Sequence, residues 1–330
     1  MAGLPYTAGP RCAKHSVASG GRWAPARLHT RVRSASVRNA KQRVAAPPPW
    51  PWRHAAPTLP FLLLDPAPAM PDSLPTFRPP GPHDAGHPGP PSLLLLHGAG
   101  CGAWVWRHGF EASCAEAGLT VRAQQFDRGA AQQAGLSDYV EQTRALLRAQ
   151  AGPVVLVGHS LGALVAQRLL LEPQVRGAVL LAPVPPEGLW WSSARLALAD
   201  AVLWAEAARM DLPPGQAPAE LAAALFSAAM PMPAARAALA RMGGESSRAL
   251  LEAQWPQPVP PGWLHRRPVL VLGAGQDRLI PPDAVRRCAL WHGVPVEFLP
   301  GCGHVMMLEP GAEGLARRIA EWTMALRDAG

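Results

Sequence analysis

Six short apolar runs separated by helical pattern restrict the fold of this chain more than any other feature. The runs lie at residues 93–96, 121–126, 154–157, 178–181, 269–272 and 294–299. Helical periodicity fills 103–117, 136–150, 161–171, 282–291 and 311–327. Strands this short, with apolar residues at consecutive positions, have no polar face to turn to water. Their alternation with helices predicts an α/β fold in which a mostly parallel sheet is covered by helices on both faces.

The alternation breaks between residues 185 and 267, which are Ala- and Leu-rich and carry no strand pattern. Helices are expected at 190–210, 219–229 and 234–254, the last interrupted at Gly243-Gly244. An all-helical insertion between two core strands reads as a lid over the strand ends. Trp190, Trp191, Trp204, Phe226, Met230 and Met232 are expected chiefly to pack the core of that lid. The expected organisation is therefore 70–184 as the first part of the core, 185–267 as the helical lid and 268–330 as the second part of the core.

Residues 1–69 have a different composition. Ten of the 31 Lys and Arg precede the first acidic residue, Asp65. The 21 that remain face 23 acidic residues, so the net charge of +8 belongs to the leader and not to the periodic region. That distribution argues against nucleic acid as a partner of the periodic region. The leader is rich in Arg, Ala, Ser and Pro and is expected to be a disordered basic segment. It reads as translated upstream sequence with the start at Met70, as a transit peptide, or as an arm for polyanions. No transmembrane run is present, so no membrane partner is expected. Five cysteines (Cys12, Cys101, Cys114, Cys288 and Cys302) form no paired spacing. This fits a reducing, cytoplasmic setting and indicates no zinc site. His83 and His87 have no partner cluster, and the glycine-rich loop at 97–102 lacks a dinucleotide register, so no metal or cofactor is expected.

One junction carries chemistry. The apolar run 154–157 leads into Gly158-His159-Ser160-Leu161-Gly162 and then into a helix. A serine placed between strand and helix, with glycines two before and two after, is a nucleophile elbow. The glycines give the crowded turn room, and the hydroxyl is presented above the sheet. A serine hydroxyl needs a base, and the base needs an orienting acid. In this arrangement they follow in the order Ser, acid, His, each in a loop after a strand. Asp277 follows the run 269–272, and His304 follows the run 294–299 in a glycine-lined loop. Attack on a carbonyl also needs backbone donors for the developing oxyanion. The amide of Leu161, directly after Ser160, is one. The amide of Ala99, in the loop His97-Gly98-Ala99-Gly100 after the first strand, is the other, with Gly98 letting the backbone approach. His97 and His159 are expected to be structural.

These segments together resemble the α/β-hydrolase fold family over residues 90–330. The loop His97-Gly98-Ala99-Gly100-Cys101-Gly102-Ala103-Trp104-Val105-Trp106 is similar to the branch of plant-type methylesterases, hydroxynitrile lyases and their bacterial relatives. The resemblance implies Ser160 as nucleophile, His304 as base, Asp277 as acid and the Ala99 and Leu161 amides as oxyanion hole. Ser160 stands where dehalogenases and epoxide hydrolases of this fold carry an aspartate. Gly98 and Val305 stand where hydroxynitrile lyases carry threonine and lysine. The expected function is a serine hydrolase that cleaves a carboxylic ester or related acyl substrate, small and hydrophobic. Carbon–carbon bond hydrolysis or acyl transfer by the same triad is an alternative within enzymology. A ligand receptor on a hydrolase fold is an alternative outside it.

Overall fold

The computed structural model describes residues 91–107, 109–209 and 219–328. The leader 1–69, the Met70 start and His83 and His87 lie outside the described residues. Six strands form one sheet in the order β2-β1-β3-β4-β5-β6. They are β1 (Ser92–Leu96), β2 (Val121–Gln124), β3 (Val154–His159), β4 (Val175–Leu181), β5 (Val269–Ala274) and β6 (Val296–Leu299). Every neighbouring pair is parallel.

The strands are apolar at successive positions because each serves two cores. Alternate side chains point to opposite faces. Leu93, Leu95, Val155, Val157, Val179, Leu181, Leu270 and Leu272 belong to one buried cluster. Leu94, Leu96, Val154, Leu156, Ala178, Leu180, Val269 and Val271 belong to the other. The first face is covered by α1 (Phe110–Glu116) and the last helix, which buries Leu315, Ala316, Ile319 and Ala320. The second face is covered by α2 (Leu136–Arg148) and α3 (Leu161–Arg168). On α2 the buried residues are Leu136, Tyr139, Val140, Thr143 and Leu147, the i, i+3, i+4 stripe of a helix lying on a core.

Between β4 and β5 the described chain is helical: α4 (Trp190–Ala199), α5 (Ala201–Ala208), α6 (Ala219–Leu225), α7 (Met232–Arg241), α8 (Ser247–Glu252) and the short α9 (Gly262–His265). Then follow α10 (Pro282–His292) after β5 and α11 (Ala312–Asp328) after β6.

Several sequence boundaries move. The expected helix at 103–117 is a short 3₁₀ turn, Ala103–Trp106, and then α1; Gly109 at φ 88° separates them. The expected helix at 190–210 breaks at Asp200, whose side chain accepts from Leu203 N and caps α5. The helix expected at 234–254 is interrupted at Gly243-Gly244 as expected; Met242 becomes extended before the pair and Ser246 caps α8 after it. In each case a local hydrogen bond or glycine outcompetes continued helix. Four of the six large residues assigned to the insertion's core are on its surface: Trp190, Trp191, Trp204 and Met232 are 48, 51, 41 and 44% exposed. On α4 and α5 the buried residues are Ser192 and Leu203, and the other apolar side chains are at least partly exposed. Phe226 is buried, as expected.

Candidate active site

Ser160 is the single residue between β3 and α3, at φ 52°, ψ −114°. A left-handed φ costs a non-glycine residue about 1–2 kcal/mol. The surroundings hold it there. Ser160 N donates to Leu181 O at 2.9 Å, and Ser160 O accepts from Ala163 N at 3.1 Å as the helix begins. The two flanking glycines are required by contact. A Cβ on Gly158 would lie 2.5 Å from Ala163 Cα, and one on Gly162 would lie 2.4 Å from Leu96 O. No side chain fits either gap, so β1, β3 and α3 close on one another at the serine.

Asp277 and His304 meet. His304 Nδ1 donates to Asp277 Oδ2 at 2.6 Å, with the two side chains 5 and 1% exposed. Asp277 uses its oxygens separately. Oδ1 accepts from Leu279 N at 2.8 Å and Ile280 N at 2.9 Å, which fixes the turn after β5. Oδ2 is thereby aimed at the histidine. With the proton on Nδ1, Nε2 of His304 is left as the acceptor nitrogen. Ser160 and His304 line the same cavity. Among the described residues no hydrogen bond joins them, and such contacts often close only when a reacting molecule is held.

The loop after β1 lies directly over the serine. A Cβ on Gly98 would sit 2.6 Å from His159 Nδ1 and 3.0 Å from Ser160 Cβ. Ala99 and Leu161 also line the cavity. Among the described residues neither of their amides is given to a backbone or side-chain acceptor. His97 and His159 are structural. His97 donates from Nδ1 to Gly98 O at 2.9 Å and accepts from Phe126 N at 3.3 Å, and burial pushes it down to about 4. His159 donates from Nε2 to His304 O at 2.9 Å, and burial holds it neutral, well below the usual histidine range.

The cavity holds about 430 Å³, within the range of small-molecule sites. Apolar side chains from both regions form its walls, among them Val184, Leu196, Trp204, Met242, Leu250 and Ile280. Among the described residues no Asp, Glu, Lys or Arg lines it. Polar groups on the insertion side include Ser192, Ser193, Ser247 and Gln254, with Ser193 Oγ donating to Gln254 Oε1 at 2.8 Å. Among the described residues no group of three or more His, Cys, Asp or Glu could hold a metal ion, and no helix is long and apolar enough to cross a membrane.

Two buried carboxylates escaped the sequence reading. Glu309, 4% exposed, accepts from Ser227 N at 2.7 Å, Ser227 Oγ at 2.6 Å and Gly303 N at 3.2 Å. It ties the turn after α6 to the residue before His304. Glu245, 1% exposed, accepts from Gly100 N in the loop beside Ala99. Neither belongs to a periodic pattern, and an isolated Glu in a loop gives no sequence sign of burial.

The fold agrees with what comparison with known proteins finds. The model of the alpha/beta hydrolase family matches residues 93–317. No curated protein matches the sequence. Among solved structures, an extracellular alpha/beta-hydrolase from a Paenibacillus species is 15% identical, with 70% of this chain and 98% of that one covered and a TM-score of 0.55. A methylesterase from Arabidopsis is 16% identical, covering 71 and 99%, with a TM-score of 0.54. A proline iminopeptidase-related protein from Thermus thermophilus is 25% identical, covering 75 and 94%, with a TM-score of 0.54. With a family match over most of its length and the parallel sheet to go with it, this chain belongs to the alpha/beta hydrolase family.

Proposed function

We propose that the chain is a serine hydrolase that cleaves a carboxylic ester with an uncharged, apolar acyl part. One observation carries this reading: His304, paired with Asp277 at 2.6 Å, lines the same cavity as a serine held in the left-handed elbow conformation. In the proposed mechanism Ser160 Oγ attacks the ester carbonyl as His304 Nε2 takes its proton. The amides of Ala99 and Leu161 stabilise the oxyanion. His304 returns the proton to the leaving alcohol, and Asp277 stabilises the imidazolium and keeps its orientation. Water, deprotonated by His304, then releases the acid from the acyl-enzyme.

The helical insertion serves as the lid and supplies much of the acyl-binding wall. The described lining carries no Asp, Glu, Lys or Arg, which favours an apolar acyl group over a charged one, because a buried charge would have no partner among those residues. The solved methylesterase and hydrolase, at 16 and 15% identity, speak for the fold, so the ester assignment rests on the site itself.

The test uses p-nitrophenyl esters of graded chain length and a fluorophosphonate probe. Ser160→Ala is expected to lose about 10⁴-fold or more in kcat and all labelling. A folded Ser160→Ala protein that keeps the parent's rate would refute the mechanism. An intact parent that is neither labelled nor active would return the chain to the receptor reading.

A further inference from the structure

The loop that carries Ala99 does not hold itself in place. It is a turn closed by Cys101 N donating to Gly98 O at 3.2 Å, with Gly100 at φ 67°. Both polar groups of Gly100 go to the insertion. Its N–H donates to Glu245 Oε2 at 3.0 Å, and its carbonyl accepts from Gly243 N at 2.8 Å. The next carbonyl, of Cys101, accepts from Arg128 Nη2 at 2.6 Å. Arg128 in turn donates to both oxygens of Glu245, from Nε and Nη2, each at 3.2 Å. Tyr139 of α2, fully buried, donates its hydroxyl to Glu245 Oε1 at 2.5 Å, and Ser246 N donates to the same oxygen at 2.9 Å. Burial and the bond to Glu245 both push the Tyr139 phenol upward, so it stays a donor.

We infer that Glu245 is a positioning residue for the oxyanion hole: with Arg128 and Tyr139 it pins the Gly98–Cys101 turn, and so the Ala99 amide, over Ser160. The inference rests on the Ser160 reading above. The carboxylate is suited to this work because it is acceptor-only, so it takes donors from the loop, from α2, from Arg128 and from its own turn at once. Its position is set by the same segment that forms a cavity wall, since Met242 lines the cavity three residues earlier. Oxyanion donors act through preorganisation, and a donor displaced by a fraction of an ångström loses much of its effect on the transition state while leaving ground-state binding alone.

Glu245→Gln tests this. It keeps the shape but presents an NH₂ to groups that are themselves donors. The expected result is a kcat lower by about 10–100-fold on p-nitrophenyl esters with KM within about twofold. Amide hydrogen exchange is expected to quicken in peptides spanning 97–102 and to stay unchanged across the elbow at 158–164. Tyr139→Phe removes one donor and nothing else, and is expected to lower kcat by roughly 3–10-fold with the same split. It carries the test if Glu245→Gln fails to fold. A folded variant with the parent's kcat, or one in which exchange rises equally in loop and elbow, overturns the inference. So does a change confined to KM. If the parent hydrolyses no ester, the Ser160 reading falls, and exchange in the loop decides by itself whether Glu245 anchors it.

Discussion

The elbow and the loops around it are held by different means. At Ser160 the position is fixed by backbone atoms in contact. Gly158 and Gly162 leave gaps that any Cβ would overfill, and three core elements close on the turn. The Ala99 and His304 loops are closely packed too, at Gly98 against His159 and at Gly303 against the backbone of Phe226 and Ser227, but polar anchors are added there. The anchors are two buried carboxylates, Glu245 and Glu309, each joining a loop to the helical insertion. Steric fixation tolerates no change but needs nothing beyond the sheet. Polar fixation depends on a second region being in place. The proposed nucleophile is therefore a property of the core, whereas the groups proposed to activate it and receive its charge are properties of the junction between core and insertion.

Breaking the steric side is expected to have the largest effect. Gly162→Ala drives a methyl into Leu96 O and is expected to cost about 3 kcal/mol or more, read as a lower denaturation midpoint. Full stability there would show that the core gives way more easily than the contact implies. The polar side should cost less. Glu309→Ala leaves Ser227 and Gly303 without their acceptor and is expected to cost roughly 2–3 kcal/mol by the same measurement, with activity falling further than after an exposed Glu→Ala change. Equal costs for the two variants would erase the contrast.

Acid should loosen both sides together. His97 begins the loop over the elbow, and His159 belongs to the elbow itself. His265 and His292, joined at 3.0 Å, connect the end of the insertion to α10 and, through Gln167, to α3. Burial lowers all four from their usual value of 6.5. In the unfolded chain they bind protons below about pH 6.5, and in the fold they do not, so stability falls as pH drops through the window from 6.5 to 4. Each contributes a slope of up to about 1.4 kcal/mol per pH unit. Urea unfolding at pH 7.5 and pH 5 checks this, and His292→Gln should flatten the acid slope. A stability that holds level across the window would show that these histidines charge inside the fold.

Legibility in the sequence followed the same division. The sheet, its two cores and the elbow could be read because close packing demands particular residue types at fixed spacing: apolar residues on both faces of β1 and β3, and glycine at 158 and 162. Asp277 and His304 could be placed because each follows a strand end, and the structure pairs them. The insertion was readable only as helical. The glycine pair at 243–244 marked one of its breaks, but the break at Asp200 depends on a single capping hydrogen bond, which periodicity does not register. Glu245 and Glu309 were invisible because their donors are distant in the chain: the loop amide at Gly100 is 145 residues from Glu245. Trp190 and Trp191 misled for the opposite reason, since hydrophobicity alone does not say which side of a surface helix faces the core.

The left-handed backbone at Ser160 also bears on how this fold stands up to heat. A glycine at 160 would relieve the strained φ at a smaller entropic cost, for a gain of at most about 1 kcal/mol. Ser160→Gly should therefore melt a few degrees higher, on the order of 2–4 °C in Tm, while doing no chemistry. A serine in this turn costs the fold some thermal tolerance, which fits the hydroxyl role proposed for it.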